Sequence, residues 1–229
     1  MATIIHIETS ARTCSVALSQ DGAIIFHKED HEGPNHAVLC GVFCEEALSF
    51  AESHAIPLDA VSVSQGPGSY TGLRIGVSMA KGIAYGRGVP LIAVPTLQIL
   101  CVPLLLNERT EEDALLVPMT DARRMEVYTA TYDRSLKEIR HVRAEIVTDE
   151  SFQDELEHGI VYFFGDGAEK CKSVIRHPNA RFLPDIVPLA KNMMPLAERA
   201  YLRGESVDTA YFEPFYLKDF IALKSKPLL

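Results

Sequence analysis

Hydrophobic residues in the first thirty positions fall into three short runs separated by turn residues. The runs TIIHIE, CSVALS and AIIFHKE predict three strands, and the Asp-Gly step between the second and third is typical of a hairpin. From about His36 to His54 the apolar residues recur at helical spacing, which predicts a long helix. A strand AVSVSQ, a helix over about Tyr70–Gly86, a strand VPLIAVP and a helix near Leu97–Leu106 complete the order βββαβαβα.

The second half repeats this order in a looser form. The runs ALLVPMT, MEVYTATYD and LKEIRHVRAEIV predict three strands, followed by a helix DESFQDELEH, a strand in IVYFFGDG and a helix over about Ala168–Arg176. A last helix is expected over about Pro188–Arg203. The aromatic tail AYFEPFYLKDF follows it, and its Glu-Pro step excludes a continuous helix.

Two tandem βββαβα halves predict an α/β protein of the actin, sugar-kinase and chaperone-ATPase superfold, whose halves are ribonuclease H-like. We place the first lobe at residues 1–106 and the second at 107–229. The final segment of the second lobe is free to pack back on the first. A fold of this kind hosts many activities, so it does not assign one by itself.

Composition narrows the class of protein. Hydrophobic residues make up 47% of the 229 residues and charged residues 23%, as in ordinary globular proteins. The chain shows neither a signal-peptide pattern nor an apolar run of membrane-spanning length, so we expect a cytoplasmic protein without a membrane contact. Its five scattered cysteines are interpreted as buried thiols rather than a disulfide framework. A net charge of −9 argues against nucleic-acid binding by this chain alone.

The densest motif is SQGPGSYTGLRIGVSMAKGIAYG, which runs from Ser64 to Gly86. Gly66, Pro67 and Gly68 predict a tight turn after a strand, and Ser69 or Thr71 is placed to cap the next helix. Beyond the cap, small residues recur every four positions, at Gly72, Gly76, Ala80 and Ala84. Such a face lets another helix approach closely at a cost of up to about 1 kcal/mol per glycine. The neighbour is either the chain's own first helix or a helix of a partner.

Six segments resemble, in order and spacing, the bacterial TsaB (YeaZ) family: IIHIETSARTCSVALS, GPNHAVLCGVFCEEAL, SQGPGSYTGLRIGVSMAKGIAYG, DARRMEVYTATYD, GDGAEK and EPFYLKDF. The likeness covers essentially the whole chain, is most specific in Gly66–Gly76 and weakens between Leu136 and Glu205. Members of that family look like degenerate relatives of the enzyme TsaD and are understood as non-catalytic scaffolds. The TsaB–TsaD pair, helped by the ATPase TsaE, transfers a threonylcarbamoyl group from an adenylate to an adenosine beside the anticodon of tRNA.

The resemblance implies a scaffold with no catalytic residue and no cofactor of its own. ATP and a metal are then expected on the partner proteins, tRNA only through the complex, and a homodimer in the absence of TsaD. The first two long helices are the expected docking face. Its candidate residues are His36, Cys40, Glu45, Gly72, Arg74, Gly76 and Ala80.

Two turns carry the candidates for residual nucleotide or anion binding. In the first, Glu8, Thr9 and Ser10 stand where phosphotransferases of this superfold cradle phosphate and hold Mg²⁺. The favoured explanation is instead that Thr9 and Ser10 close a turn through hydrogen bonds from side chain to backbone. In the second turn, Asp121 and Arg123 lie within TDARRMEV, where a phosphate loop would carry glycine. Arginines there either clamp an anion or pair with nearby acids. Gly165 and Asp166, from GDGA, stand where related enzymes contact the nucleoside.

Metal and hydrolase chemistry have weaker signals. His36 and Cys40 stand four apart on the first helix but offer only two ligands, and His27 and His31 straddle a strand end, so we expect no metal site. Ser69 lacks the G-x-S-x-G spacing of a nucleophile elbow.

Two alternatives stay open at this stage. One is a self-sufficient ATP-dependent kinase or ligand-binding protein of the same superfold, and the other is a homodimeric binding module unrelated to tRNA. The aromatic tail is expected to pack on the core rather than contact TsaE. Lys218 stands in that tail where members of the TsaB family usually carry arginine.

Overall fold

The computed structural model describes residues 2–33, 35–107 and 110–218. Its first half contains eight elements in the predicted order. They are β1 (Thr3–Glu8), β2 (Cys14–Gln20), β3 (Ala23–Asp30), α1 (His36–Ser53), β4 (Ala60–Gly66), α2 (Tyr70–Arg87), β5 (Leu91–Pro95) and α3 (Thr96–Leu106). Ser69 caps α2 as expected, because its Oγ accepts a hydrogen bond from the Gly72 amide at 3.2 Å.

The second half is built in the same way. Its elements are β6 (Leu115–Asp121), β7 (Glu126–Tyr132), β8 (Glu138–Ile146), α4 (Gln153–His158), β9 (Val161–Phe164), α5 (Ala168–Cys171), β10 (Ala180–Leu183), a short 3-10 helix (Ala190–Met193) and α6 (Met194–Leu202).

Each half forms one five-stranded mixed sheet, and the two sheets have the same topology. The first has the order β3-β2-β1-β4-β5, and the second has the equivalent order β8-β7-β6-β9-β10. In both, the first three strands are antiparallel neighbours, and the last two run parallel to the first strand. The tandem duplication predicted from the sequence is confirmed.

Four details of the second half differ from the sequence prediction. Helix α4 begins at Gln153, four residues later than the predicted helix DESFQDELEH. Strand β10 was not predicted, because ARFL is a four-residue, half-exposed edge strand without a clear alternation. Helix α5 ends at Cys171, earlier than expected. The last predicted helix is divided into the 3-10 helix and α6, because Pro195 lacks an amide hydrogen and is best placed in the first turn of a new helix.

Helix α3 and the residues after β10 tie the two halves together. Leu97, Leu100 and Leu104 of α3 pack with Leu116 and Phe164 of the second sheet. In the other direction, the 3-10 helix and α6 of the second half pack on the first sheet. Met193, Leu196 and Ala197 contact Ile4, Ile92 and Val94 there. All five cysteines are free and buried, as predicted. Among the described residues, no helix has both the length and the apolar character to cross a membrane.

His6 occupies the centre of the first sheet and is fully buried. Its Nδ1 lies 2.7 Å from Ser62 Oγ on β4, and its Nε2 lies 2.8 Å from Ser19 Oγ on β2. The neutral ring therefore links three strands through two hydrogen bonds. Burial lowers the pKa of His6 to about 3, because the charged imidazolium would lose its hydration.

We predict that His6 makes the fold sensitive to acid. Its folded-state pKa lies below the usual 6.5, so the unfolded chain takes up a proton first as the pH falls. The free energy of unfolding is therefore unaffected by this group above pH 6.5 and falls as the pH decreases towards 3. At pH 5 it is lower by about 2 kcal/mol. Urea unfolding at pH 7.5 and pH 5 should show this loss in the native chain and a smaller one in His6→Gln. An equal loss in both chains would rule out His6 as the cause.

Candidate functional site

Glu8, the carboxylate predicted for the first phosphate turn, ends β1 deep inside the first lobe. Its side chain is fully buried, and Oε1 accepts hydrogen bonds from the Ser10 amide at 2.5 Å and from Ser64 Oγ at 3.0 Å. Oε2 has no hydrogen-bond partner among the described residues. Burial raises the pKa of Glu8, and the hydrogen bonds from Ser10, Ser64 and Thr9 oppose this rise. The carboxyl group therefore points into the protein and not towards solvent.

Thr9 and Ser10 are held by the start of α2. Thr9 Oγ1 donates to the Gly72 carbonyl at 2.7 Å, and the Ser69 amide donates to the Ser10 carbonyl at 2.7 Å. The Ser10 hydroxyl is buried without a partner among the described residues. The turn is thus closed both locally, by the Glu8 carboxylate that accepts from the Ser10 amide, and by contacts with a helix some sixty residues away.

Three glycines allow this close contact. A Cβ at Gly68 would overlap the Ser10 carbonyl oxygen, one at Gly72 the Thr9 carbonyl oxygen, and one at Gly76 the Thr9 hydroxyl. No larger residue fits these positions unless the β1–β2 turn moves.

The C-terminal tail covers the neighbouring crevice. In open α/β sheets, ligands bind outside the carboxyl ends of strands where the strand order reverses, which here lies between β1 and β4. The Phe215 amide donates to the Gln65 carbonyl at 2.7 Å, and the Phe215 carbonyl lies 2.7 Å from the position of a Cβ at Gly66. The crevice of the first lobe is therefore occupied by the chain's own α2 and tail.

The tail reaches both lobes. Lys81 Nζ donates to the carbonyls of Ala210 and Phe212 at 2.9 and 3.1 Å. The Tyr216 ring lies 4.8 Å from the Tyr70 ring, and Lys218 forms an ion pair with Glu126 of the second lobe. Asp219 and Phe220, which the quoted tail motif includes, lie outside the described residues.

The second turn is a compact set of polar contacts around Asp121. The Asp121 amide donates to Asp166 Oδ1 at 2.9 Å, the Arg123 amide donates to Asp121 Oδ1 at 3.1 Å, and Asp121 pairs with Lys170. Burial raises the pKa of Asp166. Gly165 has a φ of +99°, and a Cβ there would overlap the Met119 carbonyl. Gly165 and Asp166 thus serve this turn and its contact with β6.

The arginines of this turn do not pair with nearby acids, contrary to one of the two expectations. Arg123 and Arg124 are exposed, and the ion pairs of the described residues include neither of them. Both have a left-handed backbone, with φ of 73° and 52°. Asp121 caps the turn as predicted, but the two guanidinium groups remain directed to solvent.

A broad groove runs along the outer surface of α1 and α2, on the side away from the sheet. It has a volume of about 760 Å³. Its lining comes mainly from one stripe of α2 and comprises Tyr70, Thr71, Arg74, Ile75, Ser78, Met79, Gly82, Ile83 and, from α1, Ala37. A second, smaller groove of about 330 Å³ continues it and includes Glu45, Glu52 and Arg87. Val38 and Val42 on α1 are exposed by 67% and 42%.

The predicted docking residues fall into two sets. Arg74 lines the first groove and Glu45 the second. The other five face the protein interior: His36, Cys40, Gly72, Gly76 and Ala80 are all buried. His36 begins α1, and its Nε2 lies 2.9 Å from the Ala11 carbonyl.

The assignment of the glycine face is therefore corrected. Small residues at Gly72, Gly76 and Ala80 let α2 approach the chain's own β1–β2 turn and sheet, and no partner helix reaches that face. The neighbour of the two glycines is thus inside the chain, but it is the β1–β2 turn and not the first helix that the sequence analysis considered. Whether the outer surface of the same helix binds a partner is a separate matter.

Sequence reasoning missed the stripe that forms the groove. Ile75, Met79 and Ile83 recur every four residues on α2 and are only half-buried in this chain. The signal was present as a second apolar stripe beside the small-residue one. Gly82 also lines the groove. A Cβ added at Gly82 would have no neighbouring atom of the described residues within 4 Å, whereas a Cβ at Gly72 would collide with Thr9.

The histidines considered for metal binding lie apart from these features. His27 and His31 both approach Glu29, at 4.0 and 3.4 Å. Within the described residues, no group of three or more histidine, cysteine or acidic side chains is arranged to hold a metal ion.

Comparisons with known proteins identify relatives over nearly the whole chain. The family model described as TsaD, tRNA N6-adenosine threonylcarbamoyltransferase, matches residues 31–225. The tRNA threonylcarbamoyladenosine biosynthesis protein TsaB of Escherichia coli is 29% identical over 235 residues, which cover 98% of each chain. TsaB of Bacillus subtilis is 36% identical over 130 residues, covering 57% of this chain and 55% of the relative.

Solved structures show the same fold. A Pseudomonas aeruginosa protein described as similar to peptidase YEAZ superposes with a TM-score of 0.80 at 24% identity, over 95% of this chain and all of that one. YeaZ from the same organism gives a TM-score of 0.76 at 23% identity with the same coverage. The predicted α/β fold with two duplicated halves is confirmed.

We predict opposite effects of adding a methyl group at two glycines of α2. Gly72→Ala should lower the free energy of unfolding by about 2 kcal/mol or more, because its Cβ collides with the Thr9 carbonyl. Gly82→Ala should raise it by about 0.5–1 kcal/mol, since the site is open and alanine favours the helix. Urea unfolding of both variants measures the difference. Equal effects would contradict the close contact between α2 and the β1–β2 turn.

Proposed function

We propose that this chain, which belongs to the TsaB group of the TsaD family, is a non-catalytic subunit of a larger complex. In this complex it pairs with a TsaD-like enzyme, and the complex acts in the biosynthesis of threonylcarbamoyladenosine in tRNA. In this proposal the TsaD-like partner transfers the threonylcarbamoyl group to adenosine. A TsaE-like ATPase assists the pair. ATP and the metal are held by the partners, and this chain supplies the surface that positions the catalytic subunit.

The groove on α1 and α2 is the observation that carries the proposal. Its lining is mainly apolar and is edged by Arg74, Glu45 and Arg87, an arrangement that matches the apolar centre and polar rim of a protein interface. A partner with the same superfold has equivalent helices, so two such pairs can pack as a small inter-subunit bundle. A second copy of this chain would use the same surface when the partner is absent.

Gly82 supports close helix packing in the groove. Gly82 lines the groove and has no side chain, so it leaves room for a helix of the partner to approach α2 closely at this position. The charged groups at the rim contribute less, because exposed ion pairs are weak and are screened by salt.

The two turns support the absence of independent phosphate chemistry. In the first lobe, α2 and the tail fill the crevice where a nucleotide would bind, and Glu8 is buried beneath them. In the second, Arg123 and Arg124 stand where a phosphate loop needs backbone amides at close range. A self-sufficient kinase of this superfold would need both places open.

We predict that Gly82→Leu blocks pairing with the TsaD-like subunit of the same organism while the chain stays folded. The leucine side chain fills the groove floor, and calorimetric titration should show at least about a hundredfold loss of affinity, the scale of a central interface residue. Gly86→Leu is the matched control: it lies one turn further on, also has open space and lines neither groove. Undiminished binding by Gly82→Leu would refute docking in this groove.

We predict that tRNA modification in a reconstituted system requires this chain. The system contains the TsaD-like and TsaE-like proteins, a threonylcarbamoyl donor and unmodified tRNA, and mass analysis of adenosine measures the product. Omitting this chain should abolish the product, whereas the chain alone should neither hydrolyse ATP nor modify tRNA. Full modification in its absence would overturn the proposed function.

A further inference from the structure

We propose that the β6–β7 turn, with Arg123 and Arg124, binds phosphate groups of the RNA substrate and forms with Lys218 a direct RNA contact of this chain. The inference rests on the proposed function, which brings a tRNA to the complex. It adds that this acidic chain itself contacts the RNA, at a surface that begins at one end of the docking groove and extends outside it.

The charges around the turn are unevenly compensated. Asp121 pairs with Lys170, and Glu126 pairs with Lys218, so each of these carboxylates has its own cation. Asp166 is exposed, its Oδ1 accepts from the Asp121 amide, and no ion pair of the described residues joins it to Arg123 or Arg124. The guanidinium groups of Arg123 and Arg124 are thus left without an acidic partner among the described residues, in a chain whose net charge is −9. An external anion is the natural partner of such a pair.

Hydrogen bonds hold the backbone of this turn on both sides of the two arginines. The Arg123 amide is fixed by Asp121 Oδ1, the Glu126 amide donates to the Arg123 carbonyl at 3.2 Å, and Lys170 Nζ donates to the Glu126 carbonyl at 2.7 Å. A fixed backbone lowers the conformational entropy that phosphate binding would cost.

Aromatic side chains continue the basic surface. Lys218, which reaches Glu126, comes two residues after Tyr216, whose ring lies against that of Tyr70. The Arg74 guanidinium lies 5.4 Å from the centre of the Tyr70 ring. Arginine and lysine with neighbouring tyrosines form the kind of surface on which proteins bind RNA phosphates and unstacked bases.

The position of this surface fits an RNA shared between two subunits. Tyr70 and Arg74 also line one end of the docking groove. We call the surface that includes Arg74, Tyr216, Lys218 and the β6–β7 turn the basic strip. This strip begins at the edge of the proposed interface and extends away from it. An RNA bound by an enzyme docked in the groove would meet the strip as it leaves the catalytic subunit.

The test uses the reconstituted complex with the TsaD-like subunit and unmodified tRNA. The double variant Arg123→Asn, Arg124→Asn removes both charges, and asparagine tolerates the left-handed backbone of this turn. We expect tRNA affinity at about 0.1 M salt to fall about tenfold. The slope of log K against log salt concentration should become shallower by about 1–2, as expected when two phosphate contacts are lost. Arg123→Lys, Arg124→Lys keeps the charges and should retain most of the affinity and the slope.

The control is Arg199→Ala, Arg203→Ala, in which Arg199 lies on α6 and Arg203, which pairs with Glu205 at 3.8 Å, follows it directly. The neighbouring Glu198 accepts from the Gly22 amide at 2.8 Å, in the β2–β3 turn at the amino end of β1. This control removes the same charge at the opposite end of the first sheet and should leave both the affinity and the slope unchanged.

Separate measurement of assembly, by sedimentation without RNA, distinguishes the two proposals. If the native chain does not assemble with the TsaD-like subunit, the proposed function fails. If assembly is intact but the asparagine variant binds tRNA with native affinity and slope, only the RNA contact is refuted. If this variant weakens assembly and leaves RNA binding by the remaining complex unchanged, the arginines contact a protein and the inference is wrong.

Discussion

The contact between the start of α2 and the turn after β1 determines much of this molecule. Thr9 donates to the Gly72 carbonyl, Ser69 donates to the Ser10 carbonyl, and Gly72 and Gly76 leave the space that the turn occupies. In consequence α2 lies tightly on the first sheet with its small residues inward. Its other apolar stripe, of Ile75, Met79 and Ile83, is then turned outward, where it forms the groove with α1. The same contact closes the place where a related enzyme would hold a phosphate.

One helix therefore has two surfaces with different roles. The inner surface is rigid and belongs to the fold, so changes there act through stability. The outer surface is half-buried at Ile75, Met79 and Ile83, which pack against the core, but it is open at Gly82, so a change there acts on binding with little cost in folding. Gly72 and Gly82 lie ten residues apart on α2, yet one meets the β1–β2 turn and the other meets open space. A mutation series that did not separate them would confuse loss of folding with loss of a partner.

The duplicated halves have diverged at their turns. In the first lobe the phosphate place is filled by α2 and by the tail, and the carboxylate of Glu8 is buried. In the second lobe the turn is open, but it carries arginines instead of glycine. The tail links the two places, since Phe215 contacts the strand end of the first lobe and Lys218 pairs with Glu126 of the second. Such a molecule retains a superfold that serves phosphate chemistry elsewhere, and the proposed function uses its outer surfaces instead.

The local pattern of the sequence determined the elements and their order, because strand and helix periodicity, Asp-Gly and Gly-Pro turns and the Ser69 cap act over a few residues. It also determined the duplication, since the same order of elements occurs twice. Strand β10 escaped prediction because four half-exposed residues carry little periodicity. Only the tertiary structure decided which face of α2 is buried. Glycine permits close approach by any neighbour, so the glycine pattern does not indicate which element that neighbour is. The same holds for Arg123 and Arg124: their charge is evident from the sequence, but whether an acid lies within reach depends on residues brought together from 121, 126, 170 and 218.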